Sequence, residues 1–414
     1  MNIVIVNNLP RFPGTERWDF DLVRYDEFVD HRAHRISYIV NQRGRSALTA
    51  SVDSFRLFEL DRLDDAAAYS PVLNEIIKSG GQIDRLIVFS ESLQDLAAQL
   101  RAEFDIPGKR PEENRLGRDK LVMKEKVSAA GLRTPRYTPI RAAEVDRAFQ
   151  FAAQVGFPLI LKPIDGQSSQ GVRKIGDAAQ LRAALAELPL TGEWDLEEFI
   201  AGTLMHVDGL VDPDGNVTLV VPSRYVNTCL EFTTGAPLGA IMLEPGTALH
   251  AYASRFATQC IAAIGLRACP FHLELFHTED DDLVFLEVGA WVGGADVPSM
   301  IHQATGINLF AEWVNMSLDQ PAQLHAPIRS VGAWLMFPRP DGLPQRVRSV
   351  TRFDGRVGSL YRQLVPEQGQ LIEHEDGYCS LQSGRFLFDS TSWDQVTRDV
   401  GHVLQSFRIE TLQP

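Results

Sequence analysis

The chain has 414 residues, 44% hydrophobic and 23% charged, with no low-complexity tract, which excludes a single small module and a disordered chain. Its 40 Lys and Arg against 54 Asp and Glu give a formal charge of −14, which disfavours sustained binding to nucleic acid or to an anionic membrane. Cys229, Cys260, Cys269 and Cys379 lack CxxC spacing, and no apolar run nears the roughly 18 residues of a membrane span, so a disulfide scaffold, a structural zinc site and a membrane protein are excluded and a cytoplasmic protein is expected.

Asn2 to Val6, Arg35 to Val40, Ser54 to Leu60 and Arg85 to Phe89 predict short strands. Helices are predicted over Asp64 to Ser79 and Ser92 to Phe104, so the chain opens on an α/β layer. The stretch FDIPGKRPEEN gathers Pro, Gly and charge and marks a boundary near residue 115. A helix begins at Asp119 and stops at Gly131; another spans Asp146 to Val155. The strand FPLILKP, the loop DGQSSQG and the strand VRKI come next, then a helix over Leu181 to Leu188 and the segment DLEEFI. Asp214-Gly215 signals a hairpin, Thr247 to Ile264 a helix, and PFHLELF and LVFLEVG two strands around an acidic turn. Asp296 to Leu318 reads as largely helical. From Arg329 onward short strands with many turns end in a helix over Trp393 to Phe407, taken as a third domain.

Chemistry concentrates in a few of these segments. If FHLELFHTEDDDLVFLEVG is a hairpin turning at Asp280-Asp281, Glu274 lies opposite Glu287, and Leu273, Leu275, Val284, Leu286 and Val288 share the other face. Like charges placed opposite one another destabilise a sheet unless a cation sits between them, and paired carboxylates are hard-oxygen ligands suited to Mg²⁺ beside phosphates. The alternative is a pair of glutamates on a solvated face. Lys162 ends an apolar strand ahead of Gly166, Ser168, Ser169 and Gly171, small residues whose N–H and hydroxyl groups can approach phosphate oxygens. Val172-Arg173 follow where a P-loop needs Lys and then Ser or Thr, and no GxGxxG occurs, so neither nucleotide fingerprint applies. Lys120 opens a helix rich in further lysines, which by itself reads as a solvated face.

In order along the chain, Asp119-Lys120, ILKP at Lys162, the small-residue loop, LEEFI with HVDG, and the carboxylates of ELF and LEVG resemble the ATP-grasp superfamily. HVDGLV, PSRYVNTCLEFTTGAPLGAIML and LEVGAWVGG resemble its carboxylate-amine ligase branch, which includes L-amino acid ligases. The resemblance implies an α/β fold of the ATP-grasp kind. Residues 1–115 would form an N-terminal Rossmann-like domain, 116–325 the ATP-grasp domain with a lid over about 134–204, and 326–414 a C-terminal α+β domain. It implies that ATP is held by Lys120, Lys162, Gly166, Gln167, Ser168, Ser169, Gly171 and Val172, with Glu197, Glu198, Phe199 and Ile200 at the adenine slot. Glu274 and Glu287 would bind Mg²⁺ or Mn²⁺, and Lys162 and Glu287 would act in the chemistry.

Two positions depart from the family pattern. Leu204 stands where many relatives carry a ribose-binding glutamate, for which His206 or Asp208 is the substitute. Trp291 stands where the branch carries an arginine, for which Arg224, Arg267 or Arg173 is the substitute; Trp291, Gly293 and Gly294 are then assigned to the substrate pocket. The implied reaction phosphorylates a small-molecule carboxylate and passes the acyl group to an amine, releasing ADP and phosphate. The partners are small molecules, with no nucleic acid and no membrane, and a homodimer is allowed. The competing functions are an ATP-grasp activator serving a carrier thiol or biotin carboxylation, and a nucleotide-binding module without turnover.

Overall fold

The computed structural model describes residues 1–164, 171–189, 191–373 and 382–413. Strands Asn2–Asn7, Arg35–Val40, Arg56–Glu59 and Arg85–Val88 form a parallel sheet in which Asn2–Asn7 lies between Arg35–Val40 and Arg85–Val88. Both faces are apolar because both are covered. Val4, Val6, Ile39 and Val88 pack under helices Tyr69–Gly80 and Gln94–Glu103, while Ile3, Ile5, Tyr38 and Phe89 join the central core, where Phe89 meets Phe310 and Trp313. The expected strand from Ser54 is shortened by a 3₁₀ turn at Val52–Ser54.

A separate antiparallel sheet carries strands Tyr137–Ile140, Trp194–Glu198, Leu159–Pro163 and Arg173–Ile175 in that spatial order. Helices Val145–Val155 and Ala178–Ala186 close one face over a small core of Ile140, Leu159, Leu161, Leu181 and Leu196. The loop after Lys162, with Gly166, Gln167, Ser168 and Ser169, lies outside the described residues.

The central sheet has eight strands, ordered Leu283–Gly289, Cys269–His277, Thr203–Val211, Val217–Tyr225, Leu238–Met242, Val331–Pro338, Gln382–Ser390 and Leu360–Leu364. It runs through the boundary expected near residue 325, because Leu238–Met242 pairs with Val331–Pro338. Helices Ala248–Ile264 and Lys120–Ala129 cover one face of its first strands through Met123, Val127, Phe256 and Ile261. Helices Val297–Thr305 and Leu309–Ser317 pack on the other face, beside the parallel sheet. The N-terminal segment is tied to the central sheet by Arg385, 2% exposed, whose guanidinium bridges Asp19 (2.7 Å) and Asp296 (2.5 Å); Trp18 Nε1 donates to the same Asp296 (2.8 Å). Among the described cysteines Cys229, Cys260 and Cys269 are free thiols, and no described helix is long and apolar enough to cross a membrane.

Candidate active site

The hairpin of Cys269–His277 and Leu283–Gly289 places Glu274 directly opposite Glu287, as the alternation predicts. The expected register also holds for Leu273–Val288 and His272–Gly289, and differs only from Leu275 toward the turn. A bulge at Leu286 makes Leu275 face Phe285, so Leu283, Phe285 and Val288 share the buried face with Leu273 and Leu275, and Val284 and Leu286 turn to the other side. Bulges re-aim side chains beside sites, and this one lies next to Glu287.

Directly paired residues share a sheet face, so Glu287, Glu274, His206 and Ser223 form one row, with Gly289, His272 and Asp208 in the next. Lys120 Nζ lies 3.3 Å from Glu287 Oε2. It is aimed there by the start of its helix, where Asp119 accepts hydrogen bonds from the N–H groups of Leu121 and Val122. The Tyr225 hydroxyl donates to Glu274 Oε1 at 2.9 Å, and His272 Nε2 stands 3.7 Å from the same oxygen. Behind them Asp208 accepts from His206 Nδ1 (2.5 Å) and His272 Nδ1 (2.8 Å). Burial opposes the charge on Asp208, yet His272 and His206 hold its carboxyl down at about 2. The same contacts, with Glu274, outweigh burial and raise His272 well above its ordinary value.

Glu274 and Glu287 supply carboxylate oxygens on facing strands, hard donors that fit a divalent cation, while the Lys120 ammonium and the His272 imidazole beside them are charge partners and not ligands. His206, Asp208 and His272 also bring one ligand atom each within 4.8 Å of one another. Both Asp208 oxygens are engaged by imidazoles there, so hydrogen bonding to the carboxylate accounts for that cluster.

The second part of the site joins the small sheet to the central one. Lys162 Nζ lies 2.7 Å from Glu197 Oε1, and Lys124 Nζ lies 2.8 Å from Glu197 Oε2 and also contacts Asp195. Lys124, read from sequence as part of a solvated helix face, is instead fully buried. Burial and the neighbouring Glu197 push Asp195 up to about 6, whereas Lys162 and Lys124 overcome burial and hold Glu197 down at about 2. Lys162 itself is raised, because Glu197, Asp195 and Glu287 outweigh its burial. Its charge is therefore felt at Glu287 of the hairpin. Lys162→Ala is expected to lower kcat by about 10²- to 10³-fold, the range for losing one charge-stabilising donor, and to raise the KM for ATP. Steady-state kinetics measures both, and a variant near wild type would remove Lys162 from the site.

Other expected residues fall as follows. Glu197 has its oxygens on Lys162 and Lys124, and Glu198 accepts from Arg136 (Nε, 3.2 Å), so neither carboxylate stands open at the adenine slot. Phe199 carries Lys174 Nζ over its ring at 3.9 Å, Ile200 is buried, and Gly171 and Val172 flank the small sheet's last strand. His206 and Asp208 are 0% exposed and bonded to one another, a correction to their assignment as ribose ligands. Arg224 pairs with Met205, which belongs to the core on the face away from Glu274, and exposed Arg267 donates to the carbonyl of Asp214 (2.8 Å) at the distant Asp212–Asn216 turn; neither is brought to the carboxylates. Arg173 pairs with Glu187 (2.6 Å) on the small sheet. Trp291 lies over Gly289, Gly293 lies against Asp208 and His272, and Gly294 is exposed. Sequence reasoning missed Lys124, Asp195, Tyr225 and His272. Asp195 and His272 had a local signal, since each occupies an alternate strand position with Glu197 or Glu274 and shares its face.

Residues 155–298 match the ATP-grasp domain family. An L-arginine-specific L-amino acid ligase of Bacillus subtilis is 21% identical over 359 residues, covering 85% of this chain and 86% of the relative. A D-alanine–D-alanine ligase of Streptomyces coelicolor is 26% identical over 236 residues, covering 50% and 59%. Among solved structures, an L-amino acid ligase from Bacillus licheniformis superposes with a TM-score of 0.72 at 17% identity, covering 100% of this chain and 98% of its own. A phosphoribosylglycinamide synthetase from Anaerococcus prevotii superposes with a TM-score of 0.67 at 13% identity, covering 100% and 99%. With the facing carboxylates of one sheet set against the lysines of helix and small sheet, residues 155–298 form an ATP-grasp domain, and the chain as a whole has the fold of an L-amino acid ligase and is similar to ATP-grasp ligases in sequence.

Proposed function

We propose that the enzyme uses ATP to join the carboxylate of an amino acid, or a related small acid, to an amine through an acyl phosphate, releasing ADP and phosphate. The observation that carries this reading is the pairing of Glu274 with Glu287 beside Lys120, with Lys162 presented from a separate sheet. Phosphoryl transfer demands little covalent work from a protein; it needs cations and donors held around spreading negative charge. Lys120 and Lys162 would take the phosphates, and Glu274 and Glu287 would hold Mg²⁺, which when bound neutralises phosphate charge. The loop after Lys162, with Gly166 to Gly171, would cover the phosphates as part of a lid over about 134–204, keeping water from the acyl phosphate. The domain boundary at about 115 belongs to the same proposal.

The likeness to an L-amino acid ligase over 85% of this chain supports amino acids as the first substrates to try. The test is a pairwise amino acid panel with phosphate release and mass detection of products. Release that requires two substrates, with a product at the mass of their amide, is the expected result. Tight ATP binding with no release for any pair would overturn the proposal.

A further inference from the structure

The parallel sheet brings its own charged group to this site. Strand Arg85–Val88 ends just before Glu91, and ligand sites in open α/β sheets gather beyond the carboxyl ends of strands. Glu91 Oε1 lies 3.3 Å from Arg118 Nη1, and Arg118 Nε lies 3.4 Å from Asp95. The Arg118 guanidinium also lies over the indole of Trp291, 5.3 Å from the ring centroid. Two close approaches fix this arrangement. A Cβ on Gly117 would come within 2.5 Å of Ala290 Cβ, which locks the turn carrying Arg118 against the residue before Trp291. A Cβ on Gly289 would meet the indole at 2.3 Å, so the ring covers the position paired with His272, on the face that carries Glu274 and Glu287. Burial raises the Glu91 carboxyl, Arg118 opposes that, and Glu287, His272 and Lys120 all act on it, which puts Glu91 in the field of the metal hairpin.

This ion pair differs from the structural one at Arg385. Arg385 is 3% exposed at its side chain and makes contacts of 2.7 and 2.5 Å to carboxylates that are nearly fully buried. Arg118 and Glu91 are 14% and 35% exposed at their side chains, and their contact is looser. A guanidinium over an indole, with a carboxylate beside it, presents the two charges that a zwitterion requires. When the amine of the proposed ligation belongs to an amino acid, that substrate keeps its own carboxylate throughout, so a fixed cation for that group is useful at every stage.

We propose that Glu91 and Arg118 seat the amine-bearing substrate as a zwitterionic amino acid, with Arg118 taking its carboxylate over Trp291 and Glu91 taking its ammonium. The proposal rests on the ligase reading above. Its test compares L-alanine, L-leucine and L-arginine as acceptors with their C-terminal amides, which keep the amine and lose the carboxylate. Wild type should prefer each accepted acid over its amide by at least tenfold in kcat/KM. Arg118→Gln should compress that preference below about twofold with the KM for ATP unchanged, and Arg118→Lys, which keeps the charge, should retain part of it. Glu91→Gln should raise the KM for acid and amide alike. An Arg118→Gln variant that keeps the wild-type preference would overturn the proposal, as would a wild type that does not distinguish acid from amide. If no pair is ligated at all, the ligase reading fails separately. Calorimetric titration of the MgADP-bound protein with the same acids and amides then decides the seat: a preference for acids that is lost in Arg118→Gln supports it, and equal or no binding refutes it.

Discussion

Glu287→Gln is expected to cut Mg²⁺-dependent turnover by at least about a hundredfold while leaving the melting temperature at or above that of the wild type. Glu287 is about one-third exposed at its side chain, has Lys120 at 3.3 Å, and stands opposite a second carboxylate on the neighbouring strand. Without a divalent cation that arrangement is repulsive, and a neutral amide of the same shape removes the repulsion. The same change removes a metal-ligand charge where the proposed reaction most needs it. The two effects therefore carry opposite signs, which separates a functional carboxylate from a structural one. Phosphate release against Mg²⁺ concentration, beside a thermal melt, reads both. Normal Mg²⁺ dependence in the variant would take the hairpin out of the chemistry.

Lys124→Met is expected to destabilise the protein by about 3–5 kcal/mol, the range for breaking a buried ion pair from one side. Lys124 is fully buried between Asp195 and Glu197, and its removal leaves Lys162 to face both carboxylates. The pH dependence has a definite sign. In the wild type, Glu197 is held at about 2 against an ordinary 4.5, so its contribution is present above pH 4.5 and is lost as pH falls below that. Asp195, at about 6 against an ordinary 3.8, runs the other way: its contribution is present below 3.8 and is lost as pH rises through 6. Without Lys124 both folded-state values move up, so the variant should recover part of its loss between pH 7 and pH 5. Denaturant midpoints at those two pH values measure this, and a loss that is equal or larger at pH 5 would contradict the buried network.

The residues themselves show why some of this was legible in sequence. Glu274 opposite Glu287 follows from period-2 alternation and an acidic turn, both local features. The bulge at Leu286 is equally local, but nothing in LVFLEVG marks which residue is extra. Lys124 lies on the same helix as exposed Lys126, and only the strand Trp194–Glu198, about 70 residues later, buries it. Arg118 meets Trp291 through two glycine contacts between segments distant in the chain. Arg224 could have been set aside sooner, because it follows Ser223 and precedes Tyr225, and the site needs the face those two share. The strands after Arg329 read as a separate unit because sheet membership depends on pairing with Leu238–Met242, which composition does not encode.

The most direct test of the central claim labels the carboxylate. Once an active pair is known, the acyl donor is supplied with ¹⁸O in both carboxylate oxygens, and the released phosphate is analysed by mass. Activation as an acyl phosphate transfers one labelled oxygen to phosphate for each amide bond formed, with ADP as the nucleotide product. Label found in AMP, or phosphate released without label while the amide forms, would contradict it.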